Sequence, residues 1–289
     1  MSFKDKLNSK KFVVTAEVGP PKGSDVAHFL EGAELFKKRV DATNVTELQS
    51  AVMRLGSLAA CRLLLEKGHE PILQMTCRDK NRLSLQSEAL SAAALGIRNI
   101  LVVTGDHPSS GDHPEAKGVF DLDSVQLLAA LKGLKEGHDM AGNKLEGPPP
   151  DFFIGGAVNP GADPIEPEIM KLEKKVIAGV EFIQTQAVYE PEKFRNFIAL
   201  IKHIKVPVLV GIVLLKSAGM ARYMNKNVSG IFVPEGLIKE MEQAKDKKAI
   251  STEIGARIIK ATKDICQGAH IMPLGWDSLV VPVIDRSGI

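Results

Sequence analysis

Side chains able to hold or move a proton close several apolar runs of this sequence. Glu17 ends the run at 12–17 (FVVTAE), Asp106 ends 99–106 (NILVVTGD), and Gln184 and Gln186 lie within 182–189 (FIQTQAVY). Two successive prolines, Pro20 and Pro21, stop the first run, so Glu17 projects just beyond a terminated strand. Among Val13, Val18 and the prolines, such a carboxyl is either a general acid working near neutral pH or a solvated rim glutamate. Asp106 supplies a fixed negative charge, and Gly105 before it permits close backbone approach by a ligand. Strand alternation puts Gln184 and Gln186 on one side, opposite Thr185. An amide offers a donor edge and an acceptor edge, which suits a heterocycle carrying both, or a partner in the core. His107, Asp112 and His113 sit in a Pro/Ser/Gly loop with no regular geometry to hold ligands, so no metal is expected there.

These residues need a scaffold that brings strand ends together. Eight extended, mostly apolar runs cover 12–17, 42–47, 71–77, 99–106, 152–159, 182–189, 207–215 and 269–275, separated by helical patterns. Near-continuous apolar strands alternating with helices predict a parallel sheet covered by helices. Eight units predict an α/β fold closed as a (βα)8 TIM barrel, one domain over 1–289, with its chemistry at the carboxyl ends of the strands. Glu17, Thr46, Thr76, Asp106, Asn159 and Gln186 then share one mouth. Helices are expected over 25–39, 50–67, 82–95, 163–179, 191–204 and 216–225, and 132–150 reads as a surface excursion with little helix. Two helical stretches, 234–246 and 247–267, precede the last strand. The first is an extra helix capping the barrel and the second a true barrel helix. The tail at 276–289 is too short for a further domain.

A net charge of +2, two tyrosines and one tryptophan argue against a nucleic-acid surface. Cys61, Cys77 and Cys266 are scattered and form no CxxC pair, so the chain itself holds neither a zinc ribbon nor an iron–sulfur cluster. Residues 1–11 are polar and charged, unlike a signal peptide, and no apolar run has membrane-spanning length. A cytoplasmic protein off the membrane is expected. GxGxxG, Walker and GxSxG motifs are absent.

Taken together, the strand ends are similar to those of the methylenetetrahydrofolate reductase family, flavoproteins on a (βα)8 barrel. The resemblance runs from about residue 12 to 274. It is carried by TAEVGPPK at Glu17, VTELQ at Thr46, QMTCRD at Thr76, ALGIRNILVVTGD at Asp106, LEKKVIAGVEFIQTQAVYE around Lys175 and Gln186, and PVLVGI. It implies hydride transfer from a reduced flavin, FAD or FMN, to the methylene carbon of 5,10-methylenetetrahydrofolate, giving 5-methyltetrahydrofolate. By position, Glu17 matches the glutamate that promotes ring opening to an iminium cation. Asp106 matches the aspartate beside flavin and pterin, and Gln186, with Gln184 on the same side, the folate-binding glutamine. Thr46, Gln74, Thr76, Thr104, Gly105, Asp106, Gly156, Val158, Glu168 and Lys175 fall on the flavin-binding stretch, with Lys175 toward a phosphate. The short, barrel-only form of the family is implied, without the carboxyl-terminal regulatory domain of longer eukaryotic members. Methyl transfer by a pterin-binding barrel without flavin, and a non-catalytic subunit holding folate or flavin, are the alternatives.

The sequence departs from the family at several contacts. Val18-Gly19 and Lys22 replace a Phe-Phe pair and an arginine, and Thr104 replaces the arginine of Arg-Gly-Asp. Gln74 stands for a histidine, Trp276 stands near the final arginine, and a strand-five tyrosine is replaced near Val158. These changes fall on flavin and nicotinamide contacts. Electrons are therefore expected either from NADH or from an iron–sulfur electron-transfer subunit, as in short family members that work beside one, within a homo- or hetero-oligomer.

Overall fold

A computed structural model describes residues 1–289. Strands β1 (Val13–Val18), β2 (Ala42–Val45), β3 (Pro71–Thr76), β4 (Asn99–Val103), β5 (Phe153–Val158), β6 (Phe182–Ala187), β7 (Val208–Val213) and β8 (Gly268–Met272) pair in sequence order. All neighbours are parallel, and β8 returns to β1 with Thr15 opposite His270, closing the barrel. The (βα)8 TIM barrel expected from eight apolar runs is thus the observed fold, each run lying within a residue or a few of its strand.

Helices α2 (Ala27–Glu34), α3 (Ser57–Glu66), α4 (Arg82–Ala94), α5 (Ser124–Lys135), α6 (Glu166–Ile177) and α7 (Pro191–Leu200) follow β1 to β6 in turn. Their starts carry local signals: Asn81 caps α4 through Ser84 N–H, and Asp123 with Gln126 forms a capping box on α5. Three helices separate β7 from β8: α8 (Ala218–Asn227), α9 (Glu235–Gln243) and α10 (Lys247–Thr262). Helix α10 packs on β7 as the expected barrel helix, and the extra α9, expected to cap the barrel, packs against α8 and α10. The tail folds into α11 (Val280–Ser287), whose Val280, Val283 and Ile284 are buried, with α10 as its packing partner.

Two local expectations are corrected. The helix expected over 50–67 starts only at Ser57, after Gly56. Residues before it form a loop in which Leu48, Ser50 and Ala51 take positive φ, and Ala51 presses so closely on Gly111 that a Cβ there would lie 1.9 Å from the Ala51 carbonyl oxygen. The polar amino-terminal stretch is also structural. It forms α1 (Phe3–Asn8), whose Phe3 and Leu7, one turn apart, plug the barrel floor. The Phe3 ring meets Phe153 and Phe182 edge-on at 5.7 and 5.2 Å, over a floor completed by Val13, Ala42, Ile72, Leu101 and Leu209.

Those floor residues fix which positions face inward. By alternation the next layer up is Thr15, Asn44, Gln74, Val103, Gly155, Gln184, Gly211 and His270, and the mouth carries Glu17, Thr46, Thr76 and Gln186. Gly155 is required because the Phe182 ring occupies its side-chain space, at 2.2 Å from where a Cβ would stand. The opposite faces of the strands pack under the helices in the main core.

Candidate functional site

The middle layer of the barrel is polar. Asn44 and Gln184 join across the interior, Asn44 Nδ2 donating to Gln184 Oε1 at 2.7 Å and Gln184 Nε2 to Asn44 Oδ1 at 3.1 Å. Gln184 Nε2 also reaches Thr15 Oγ1 at 3.2 Å, and Thr15 Oγ1 meets His270 Nδ1 at 2.9 Å. His270 in turn stands 3.9 Å from Glu17, Nε2 to Oε2. Every polar atom of Gln184 is spent inside the core, where the residue is 2% exposed. Gln184 is therefore a core hydrogen-bonder, leaving the exposed Gln186, at the bulge between β6 and β7, as the glutamine of the mouth.

Above this layer Glu17 is buried, and its Oε1 accepts from Gln49 Nε2 at 3.0 Å. Thr46 is buried with its Oγ1 lacking any partner, close to Gly19. An unpaired buried hydroxyl costs about 1–3 kcal/mol, so a ligand group that bonds it gains by doing so. Thr76 is clamped from below: Glu47 Oε2 accepts from its N–H at 2.5 Å and from its Oγ1 at 3.1 Å. Burial pushes the Glu47 carboxyl up, opposed by the Lys80 ammonium that bridges it to Glu88. Gln74 is half-buried one layer deeper.

The end of β4 is organised by Arg78, which is 2% exposed. Its guanidinium forks onto Asp79 and donates to the carbonyls of Asp106 and Leu48, each at 3.3 Å, so it ties three strand ends together. Asp106 is exposed, and Thr104 is half-buried beside it. Gly105 has φ +89°, and a Cβ there would crowd the Cβ atoms of Arg78 and Thr76 at 3.1 and 3.2 Å. The glycine thus serves the backbone and the neighbouring strand end, where the sequence pointed to ligand approach.

The remaining expected residues stand apart. Gly156 and Val158 face outward from β5: a Cβ on Gly156 would meet Val180 at 3.2 Å, and Val158 lies in the core under the helices. Neither side reaches the mouth, because they occupy the outward register of the strand. Lys175 on α6 is buried, its ammonium donating to the Ala157 carbonyl, and burial lowers its pKa to about 8. Glu168 Oε1 accepts the Asn159 N–H at 2.8 Å, so α6 grips the end of β5 with both charges.

The loop after β4 leans over the mouth. Asp112 pairs with Lys22 and accepts the Met53 N–H at 3.0 Å, and the Lys22 contact holds its carboxyl well below the usual range. His113 bonds Asp112, while His107 stacks on Phe120 at 6.5 Å. No three His, Cys, Asp or Glu side chains stand together in metal-ligand geometry. Sequence reading passed over His270, Thr15, Asn44, Glu47 and Arg78. The signal for His270 and Asn44 was a polar residue at the inward register of an apolar run; nothing local marks Arg78.

Fold and mouth define a parallel barrel with acidic and amide groups gathered at one end. The family described as methylenetetrahydrofolate reductase matches residues 2–288, and the chain belongs to that family. It is 28% identical, over 99% of its length, to methylenetetrahydrofolate reductase 2 of Schizosaccharomyces pombe, and covers 47% of that protein. It is 26% identical, over 83% of its length, to a probable methylenetetrahydrofolate reductase (NADPH) of Caenorhabditis elegans, covering 36% of it. The chain thus spans about half or less of the length of these curated relatives. Among solved structures, an uncharacterized protein from Clostridium thermocellum that binds two copies of 5-methyl-5,6,7,8-tetrahydrofolic acid superposes with TM-score 0.62 at 16% identity, over 99% of this chain and 98% of that one. EDTA monooxygenase of Chelativorans sp. BNC1 follows at TM-score 0.57 and 12% identity, over 96% and 94%. No helix is long and apolar enough to cross a membrane.

Proposed function

We propose that the chain is a flavin-dependent reductase converting 5,10-methylenetetrahydrofolate to 5-methyltetrahydrofolate. What supports this reading is one mouth bearing Glu17, Asp106 and Gln186 beside a buried, unpartnered Thr46 hydroxyl, in a chain that matches the family almost end to end. A flavin, FAD or FMN, supplies the hydride when bound. Thr46, Thr76 and the Thr104–Asp106 turn would hold its ring system, with Lys175 and Glu168 at the β5 end able to reorganise toward its phosphate. Gly156 and Val158 would contribute backbone only.

Within that mouth, the Glu17 carboxyl gives a proton to the substrate's five-membered ring, which opens to the iminium cation that accepts hydride. Gln49 holds the carboxyl through its Oε1, and His270 stands 3.9 Å from its Oε2. Asp106 is a fixed negative charge where positive charge develops, which lowers the barrier. Gln186 offers both amide edges to the pterin. Three free, buried cysteines suit the reducing cytoplasm in which we place it.

The absorption spectrum of purified protein and an anaerobic assay test the proposal together. A bound yellow chromophore and formation of 5-methyltetrahydrofolate from the methylene substrate are expected. A colourless protein that cannot be loaded with flavin sinks the reductase and favours methyl transfer. A flavin-loaded protein without turnover leaves a non-catalytic holder.

A further inference from the structure

Glu17 is held by a residue that belongs to no strand. Gln49 lies in the stretch between β2 and α3, and its Nε2 donates to Glu17 Oε1 at 3.0 Å. A carboxylate only accepts, so the amide turns its nitrogen to it. No hydrogen bond reaches Oε2, which has His270 Nε2 at 3.9 Å. When the carboxyl is protonated, the oxygen that accepts from the amide is the carbonyl one, so the proton stands on Oε2.

The backbone that carries Gln49 does not hold its shape alone. Leu48, Ser50 and Ala51 have φ of 43°, 57° and 58°, three residues with side chains in the left-handed region within four positions. Each is disfavoured by its Cβ, so the conformation persists only where neighbours impose it.

Three directions supply those neighbours. From the loop after β1, the Pro21 carbonyl accepts the Leu55 N–H at 2.8 Å and the Pro20 carbonyl accepts from Arg54 Nη1 at 3.3 Å. From the end of β3, the buried Arg78 donates to the Leu48 carbonyl at 3.3 Å. From the loop after β4, Asp112 Oδ1 accepts the Met53 N–H at 3.0 Å, while its other oxygen pairs with Lys22. Gly111, next to it, backs onto Ala51. Its φ of −105° suits any residue, so glycine stands there for space alone: a Cβ would overlap the Ala51 carbonyl.

We propose that Gln49 is a positioning residue for the Glu17 acid, and that the loop after β4, through Gly111 and Asp112, holds the strained segment 48–53 in the conformation that brings Gln49 there. This rests on the reading of Glu17 as the acid of the reduction and adds what fixes its geometry. A loop over the mouth thus sets a proton donor that it does not itself bond.

Flavin-loaded wild type, Gln49→Met, Gly111→Ala and the double variant are compared in kcat and KM for the methylene substrate, and in amide hydrogen exchange at Met53. Methionine keeps the length of glutamine without its amide. Gln49→Met is expected to lower kcat about tenfold, the size of one hydrogen bond to a charged group, with KM and Met53 exchange unchanged. Gly111→Ala is expected to lower kcat by a similar factor and to speed exchange at Met53. The double variant is expected to be no slower than the slower single one, since both break the same link. Asp112→Ala loosens the segment without a clash and is expected to act as Gly111→Ala does, which covers a Gly111→Ala protein that fails to fold.

A wild-type kcat in Gln49→Met overturns the inference, as does a loss carried by KM or a double variant as slow as the product of the two single losses. Wild-type kcat in both Gly111→Ala and Asp112→Ala removes the loop from it. Glu17→Gln, run alongside, separates the two readings. If it is slow while Gln49→Met is not, the acid stands and the positioning role falls alone. If it turns over at the wild-type rate, or wild type forms no product, the acid reading falls and the positioning role with it.

Discussion

Glu17 and His270 face each other across the β1–β8 pair, Oε2 to Nε2 at 3.9 Å, at the seam where the barrel closes. His270 is steadied from behind by Thr15, and Thr15 by the Asn44–Gln184 pair. The Glu17 carboxyl at the mouth is therefore supported by a polar layer running through the barrel interior, the arrangement that keeps such a group in one geometry.

Replacing Glu17 by Gln keeps the shape and the Gln49 contact but removes the transferable proton. Turnover of the methylene substrate is expected to fall by about 10²-fold or more, with flavin still bound. Near-normal steady-state rates would take Glu17 out of the mechanism.

Asp106→Asn deletes a charge beside the site while Arg78 still holds the Asp106 carbonyl. Both the flavin reduction potential and folate turnover are expected to shift. Spectroelectrochemistry and the assay on one preparation decide it, and two unmoved quantities would show that the end of β4 is idle.

Burial lowers the Lys175 ammonium to a folded pKa of about 8, below its ordinary value of 10.5. A flavin phosphate binds the protonated form, so flavin affinity is expected to fall as pH rises through about 8, and Lys175→Met to be weaker and flat over that window. Without ligand the sign is opposite. The unfolded chain holds this proton up to about 10.5 and the folded one only to about 8, so the group's contribution to stability rises between those values and is lost as pH falls back through 8. Flavin titrations and chemical denaturation across pH 7–10 would reveal both trends; a pH-independent flavin affinity counts against Lys175 as the phosphate contact.

Phe3→Ala opens the floor of the barrel. Loss of a fully buried aromatic ring costs about 3–5 kcal/mol, measurable as a lower denaturant midpoint, and the distant mouth should keep its ligand affinity once folded. An unchanged midpoint would show that α1 is not integral to the barrel.

Thr104, Gln74 and Trp276 stand where the family resemblance puts flavin and nicotinamide contacts, and we expect NADH alone to reduce the proposed flavin slowly, an electron-transferring partner being needed. Anaerobic mixing with NADH checks this. Full bleaching within one catalytic turnover would exclude the need for a partner, while slow bleaching with prompt reduction by dithionite would support it.

The barrel was legible in the sequence because period and length are local properties: eight apolar runs, each the length of a strand, alternate with helical patterns, and parallel strands buried on both faces must be apolar throughout. The positions of Glu17, Thr46, Thr76, Asp106 and Gln186 were legible for the same reason, since each lies at or near the end of a run. Which face a residue takes was less so. Gly156 and Val158 belong to a mouth-ending strand yet occupy its outward register, and Gln184 shares the side of Gln186 but is consumed one layer down by Asn44 and Thr15. Only the closed barrel decides those partnerships, because they join residues far apart in the chain. Arg78 shows the limit most clearly: its buried guanidinium is held by the carbonyls of Leu48 and Asp106, acceptors every residue possesses, so no side-chain pattern announces them.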